Sequence, residues 1–82
     1  MENNLMKKKY SVYVGAQKEN YDGEGFERFS TNNKKEALKE FNRLVKSDEA
    51  KQGWDSKYAY AVVELIDNRD YSSLKIKRIK LK

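Results

Sequence analysis

The sequence contains no cysteine, no histidine and no proline. Without cysteine there is no disulfide framework, no thiol nucleophile and no zinc ribbon. Without histidine the commonest general base is missing, so serine hydroxyls lack their usual activating partner. Asp and Glu remain the only charged side chains that can ligate a metal, and they suit hard ions such as Mg²⁺ or Ca²⁺.

Long apolar runs are missing as well. No stretch approaches the roughly 20 consecutive apolar residues of a membrane-spanning helix. The charged N-terminus is not followed by an apolar run, so it does not resemble a secretory signal. We therefore expect a cytoplasmic protein that does not act at a membrane.

The chain is rich in charge and in aromatic side chains. Of its 82 residues 38% are charged and 38% are apolar, a balance that approaches disorder. Three Phe, six Tyr and one Trp favour a folded core instead. The length suits one domain. We predict a flexible basic leader over residues 1–8, with Met1 and Met6 as alternative starts, and a single α+β domain over residues 9–82.

The first half of the chain predicts a β-hairpin. Apolar residues alternate with other side chains over residues 9–14, which is typical of a strand. Asp22-Gly23 is the strongest local turn signal. Residues 26–30 then return as a second, short strand, with either Phe26 or Phe29 facing inward.

A helix is expected next. Asn33 begins a capping-box pattern, and Thr31 is the competing N-cap. The helix would stop before Gly53. Its apolar residues form one stripe, and they are Ala37, Leu38, Phe41, Leu44 and Val45.

Two more strands follow the helix. Residues 58–66 are largely apolar on both faces, which favours a central position in the sheet. Residues 74–82 alternate isoleucine or leucine with lysine, and the pattern slips by one residue at Arg78, as a β-bulge would cause. The fold class is therefore α+β, a four-stranded antiparallel sheet with one amphipathic helix on one face.

Nothing in this pattern predicts catalysis. Asp67 and Asp70 lie in one turn, and acidic residues such as Asp22 cluster in the first hairpin, but neither group matches a calcium loop. Acidic side chains in turns commonly bond their own backbone. We expect no catalytic residue, no metal site and no cofactor, and therefore a binding protein.

Aromatic side chains are the first candidates for binding. Tyr13, Tyr58 and Tyr60 are predicted on the outer face of the sheet. There they either contact a partner, or they simply cover the sheet or fill a homodimer seam. Trp54, between the helix and the third strand, is either a binding residue or a lid over the helix end.

Basic side chains are the second group. Lys75, Lys77, Arg78 and Lys80 stand in the last strand without any acid. They either attract phosphate or an acidic protein surface, or they guard an edge strand against unwanted pairing. If the first and last strands were neighbours, the basic residues at both chain ends would form one positive edge.

A resemblance adds a function class. The stretch from Met6 to Gly15 (Met-Lys-Lys-Lys-Tyr-Ser-Val-Tyr-Val-Gly) resembles the start of many short phage and mobile-element proteins, and the Lys- and Asn-rich composition is similar to that of low-GC phage genes. Small host-defence inhibitors of the anti-CRISPR type are often one-domain α+β proteins of this size. The resemblance implies an inhibitor in the cytoplasm of a bacterial host whose partner is a nuclease or ribonucleoprotein.

Two alternatives to this inhibitor stay open. Tyrosines beside lysines on a sheet are also the ingredients of a nucleic-acid-binding module. A homodimer whose seam is the outer face is the other alternative.

Overall fold

The computed structural model of this protein describes residues 8–81. The leader predicted over residues 1–8 lies outside the described residues, except for Lys8. The described chain follows the predicted order of strand, strand, helix, strand and strand. Its elements are β1 (Tyr10–Gln17), β2 (Gly23–Thr31), α1 (Lys34–Lys46), a 3-10 turn (Glu49–Lys51), β3 (Tyr60–Asp67) and β4 (Ser72–Lys80).

The four strands form one antiparallel sheet in the order β2-β1-β3-β4. β3 lies between β1 and β4, which confirms the central position predicted from its apolar faces. β1 and β4 are not neighbours, so the condition under which the two basic chain ends would form one positive edge is not met. Tyr10 at the start of β1 lies opposite Asp67, whereas Lys80 pairs with Tyr60 at the other end of β3. Lys9 therefore lies at the end of the sheet where β4 begins, whereas Lys80 lies at the other end.

The β1–β2 turn differs from the predicted Asp22-Gly23 turn. The chain reverses over Lys18 to Asp22, and Gly23 already belongs to β2. The Lys18 N–H donates to the Asp22 carbonyl at 2.8 Å, and the Asn20 side chain accepts from the Asp22 N–H at 3.1 Å. Tyr21 adopts a left-handed conformation with φ of 68°. Asn20 thus lies at the centre of the turn and closes it, and the chain has already reversed when it reaches Gly23.

β4 contains a bulge, but not where the sequence placed it. The pairing of β3 with β4 is regular from Lys75 to Lys80 and shifts between Leu65 and Ile66, where Leu74 is the extra residue of β4. The slip in the apolar pattern at Arg78 has a different cause. Ile76 and Ile79 simply lie on opposite sides of a regular strand.

Asn33 is the N-cap of α1. Its side-chain oxygen accepts from the backbone N–H groups of Lys35 and Glu36. Thr31 supports the same turn, because its hydroxyl accepts from the Asn33 N–H and donates to the Glu36 carboxylate. Both candidate caps therefore satisfy groups at the start of the helix.

The core lies between α1 and one side of the sheet, which we call the helix side. Phe29 is the inward-facing phenylalanine of β2, whereas Phe26 points to the same side but is 61% exposed. A bulge at Arg28 keeps both rings on this side, since Val12 pairs with Phe29 and Val14 with Phe26. The buried core cluster consists of Tyr10, Val12, Val14, Ala37, Phe41, Leu44, Ala50, Val63 and Leu65.

An ion-pair network holds the end of α1 to the 3-10 turn and to β2. Arg43 binds Glu40 and Glu49, each at 2.6 Å, and Arg28 binds Glu49 at 2.8 Å. The hydrogen bonds from Arg43 lower the pKa of both carboxyl groups. The pairs are solvent-exposed, so they orient the connection more than they stabilise the fold.

We expect Asn33→Ala to lower the free energy of unfolding by about 0.5–2 kcal/mol, because two N–H groups of the first helical turn lose their acceptor. Urea unfolding followed by circular dichroism measures this change. The matched control is Asn42→Ala on the exposed side of α1, which should be neutral or slightly stabilising because alanine favours helix. Equal losses in both variants would contradict the capping role.

A second prediction concerns acid. Asp67 accepts hydrogen bonds from the side chain and the backbone N–H of Arg69, which lower the pKa of Asp67 from 3.8 to about 2. A lowered folded-state pKa stabilises the fold above the unfolded value, and this contribution is lost as the pH falls from about 4 to about 2. Asp67→Asn should therefore show a shallower fall in melting temperature over that range.

Glu19→Gln is the control for this prediction, since Glu19 is an exposed carboxylate of the β1–β2 turn. The control should keep the acid dependence of the unmodified protein. Parallel curves for Asp67→Asn and the unmodified protein would show that the Arg69 contact does not couple protonation to folding.

Candidate functional site

α1 covers one side of the sheet and leaves the other side open. We call this second side the open face. Strand alternation and register place on it Ser11, Tyr13, Gly15 and Gln17 of β1, Gly23, Gly25, Glu27 and Ser30 of β2, Tyr60, Val62, Glu64 and Ile66 of β3, and Ile76, Arg78 and Lys80 of β4.

Two of the three predicted outer tyrosines lie on the open face, namely Tyr13 and Tyr60, both half-buried. The prediction for Tyr58 is wrong, since it is 6% exposed and packs edge-on against Trp54 on the helix side. Its hydroxyl donates to Glu24 at 2.9 Å, and this hydrogen bond raises the pKa of Tyr58. β3 begins only at Tyr60, so the alternation assumed from residue 58 does not apply to Tyr58. It is therefore a structural residue.

The four predicted basic residues divide between the two sides of the sheet. Arg78 and Lys80 lie on the open face, whereas Lys75 and Lys77 lie on the helix side. The Lys75 ammonium lies 5.4 Å from the centre of the Phe41 ring. Lys75 therefore covers a ring of the hydrophobic core. These four residues therefore do not share one side of the sheet.

One end of the open face carries an aromatic and cationic cluster. The rings of Tyr21 and Tyr60 stack with centroids 6.3 Å apart. The Arg78 guanidinium lies 5.1 Å from the centre of the Tyr21 ring and donates to the Gln17 side chain at 2.9 Å. Tyr21 was missed in the sequence because it belongs to a turn, and its left-handed conformation is what aims it at this face.

A polar network closes the opposite end. Ser11 is fully buried and donates to Glu27 at 2.7 Å, while Asn68 donates to the Ser11 hydroxyl at 2.7 Å. Asn68 also donates to the Lys8 carbonyl, which ties the β3–β4 turn to the start of β1. The Ser11 hydroxyl, one Glu27 oxygen and the Asn68 amide nitrogen thus bond to one another or to the backbone and close this end of the face.

Between the two ends lies an open groove of about 370 Å³. Glycines at positions 15, 23 and 25 form part of its floor, because they bring no side chain to the face. Tyr13 and Tyr21 line it together with Val62 and Ile66. The groove is thus a shallow apolar and aromatic depression in an otherwise flat sheet.

Glu64 is the acidic group of this groove. It is half-buried and lies between Tyr13 and Ile76 on the neighbouring strands. Among residues 8–81 its carboxylate makes no hydrogen bond and no ion pair. A half-buried carboxylate in an apolar surrounding gains most from a cationic or hydrogen-bond-donating partner. No sequence pattern singles out Glu64, because its neighbours across the sheet depend on strand pairing.

Trp54 is a lid on the helix side. Its indole N–H donates to the Ala50 carbonyl at 2.9 Å, and its ring packs against the core. The exposed Phe26 ring stacks on it with centroids 6.3 Å apart. Of the two roles considered for Trp54, the structure therefore shows the lid over the helix end.

Comparisons with known proteins add no assignment to this site. No protein-family model, no curated protein and no solved structure matches the chain. Within residues 8–81 no group of three or more acidic side chains is arranged to hold a metal ion. In the same range, α1 is too short and too polar to cross a bilayer, and no other helix qualifies.

The groove depends on glycine, and this can be tested. A methyl group at Gly15 would overlap the Glu24 backbone carbonyl across the sheet, so Gly15→Ala should cost about 1–3 kcal/mol of unfolding free energy. At the facing Gly25 the nearest atom would be the Val14 carbonyl oxygen at 3.2 Å, so Gly25→Ala should cost less. Chemical denaturation gives both values, and the reverse ranking would contradict the close approach of β1 and β2.

Proposed function

We propose that this chain is a small non-catalytic binding protein that docks on a larger protein through its open face. The observation that carries the proposal is the open face itself, which one helix leaves uncovered and whose centre is aromatic and aliphatic. Tyr13 and Tyr60 offer stiff contact area with a polar tip, as interface residues do. Ile66 and Ile76 extend this apolar area across β3 and β4.

The charge on the open face supports a protein partner over nucleic acid. Glu27 and Glu64 lie on it together with Arg78 and Lys80, so its charges are balanced. A phosphate backbone needs a continuous set of cations and is repelled by central carboxylates. Arg78 is in addition already engaged by Gln17 and by the Tyr21 ring.

The setting we propose is inhibition of a host-defence complex, such as a CRISPR nuclease with its guide RNA, by a phage- or mobile-element protein. The small size and the similarity of residues 6–15 to the start of such proteins support it. Direct protein contact suits this chain better than mimicry of nucleic acid, because its net charge is +5. The inhibitor would act in the cytoplasm of a bacterial host.

The test compares the unmodified protein with the double variant Tyr13→Ala/Tyr60→Ala in binding to purified CRISPR nuclease–guide complexes and in target-DNA cleavage. We expect the protein to bind and inhibit, and the double variant to bind about tenfold more weakly or worse, since truncated interface tyrosines each cost more than about 1 kcal/mol. Phe26→Ala is the matched control, because it removes an exposed ring from the helix side. It should bind normally.

Binding to random single- and double-stranded oligonucleotides at two salt concentrations provides the decisive contrast. Micromolar affinity with a steep salt dependence, lost in the tyrosine variant, would replace the proposal with a nucleic-acid-binding module. A stable dimer in sedimentation that the tyrosine variant dissociates would assign the open face to a second copy instead.

A further inference from the structure

We infer that the outer edge of β4 is a second binding surface, which takes an acidic extended segment of a partner protein as a fifth strand. This goes beyond the proposed function, because it uses the edge of the sheet and not the open face. The mode is β-strand addition, in which backbone hydrogen bonds give affinity and side chains on both sides give specificity.

The backbone geometry of β4 provides the docking groups. β4 is an outer strand of the sheet, and Leu81 donates its N–H to the Ala59 carbonyl of the inner neighbour. Alternation along the regular stretch from Lys75 to Lys80 then directs the N–H and C=O groups of Ile76, Arg78 and Lys80 outward. Among the described residues no strand pairs with this outer side.

The side chains of β4 determine which charge the added strand should carry. Lys77 flanks the edge on the helix side, and Lys80 flanks it on the open face. Lys75 and Arg78 also belong to β4, but their charged groups lie against the rings of Phe41 and Tyr21. All four are exposed, and β4 itself contains no carboxylate. Glutamates or aspartates on either side of an added strand would therefore meet a cation across the pair. The exposed Ile76, at 44%, offers an apolar contact between them.

The same charges exclude a second copy of this chain at the edge. Two β4 strands side by side would oppose eight cations without an anion, which is the arrangement that edge lysines prevent. The other outer strand, β2, is a poor complement as well. Its Glu24 and Glu27 already accept from Tyr58 and Ser11, and Arg28 stands beside them. The lysines of β4 thus disfavour pairing with a second copy of β4 and favour pairing with an acidic strand.

The experiment titrates the full chain with a capped peptide of about eight alternating Val and Glu residues, long enough to span β4. Amide hydrogen exchange is followed residue by residue by NMR. We expect exchange to slow at Ile76, Arg78 and Lys80, whose N–H groups point outward. Exchange at Lys77 and Ile79 should change little, because these groups already face β3.

Three comparisons separate strand addition from general charge attraction. A Val-Lys peptide should not bind, and a Val-Glu peptide with N-methylated amides should lose the slowed exchange. Raising the salt from about 50 to about 500 mM should weaken binding severalfold. Lys77→Glu/Lys80→Glu should weaken it about tenfold, whereas Lys35→Glu/Lys39→Glu on exposed positions of α1 makes the same change in net charge and should have a much smaller effect.

Unchanged exchange at Ile76, Arg78 and Lys80 under saturating peptide would overturn the inference, as would equal weakening by the two charge-reversed variants. Slow exchange at these three amides without peptide, together with concentration-dependent sedimentation, would assign the edge to a second copy and overturn it as well. Because the Tyr13→Ala/Tyr60→Ala variant leaves β4 intact, it should bind the acidic peptide normally. If the acidic peptide does not bind the edge of β4, docking through the open face can still be correct. If docking through the open face fails, strand addition at the edge can still be correct.

Discussion

The structure depends on one constraint, which is that a single helix shields a single side of the sheet. α1 has thirteen residues and is therefore about 20 Å long, enough to cover the centre of one side of four strands. Phe41 and Leu44 close that side against Val12, Val63 and Leu65. The chain has no second helix among its described residues to place on the other side. The open face must therefore stay in water or meet a partner.

The helix side and the open face differ in how their polar groups are bonded. On the helix side, Trp54 and Tyr58 have their polar atoms bonded within the chain, and Lys75 shields the Phe41 ring. On the open face, Tyr13 lies beside Glu64, whose carboxylate has no partner among the described residues. A core side satisfies its polar groups, while a recognition side keeps some of them available. This contrast is why the open face carries the proposed function.

The open face and the edge of β4 are contiguous, since Arg78 and Lys80 belong to both. Their roles differ in kind. The face offers area and a groove, whereas the edge offers backbone groups with a fixed direction and a single sign of charge. A larger protein with an acidic strand at the rim of its binding site would engage both surfaces at once, and linked contacts of this kind raise affinity through effective concentration.

The sequence alone determined the elements and the buried residues of α1, because a helical stripe and strand alternation are local patterns that burial on one side imposes. It also determined that β3 is central, since both of its faces are apolar. Only the tertiary structure decided which side each binding residue occupies. Tyr58 precedes the first paired residue of β3, and the bulge at Leu74 sets which lysines of β4 face α1. Strand order likewise depends on pairing between distant segments, which local alternation does not encode.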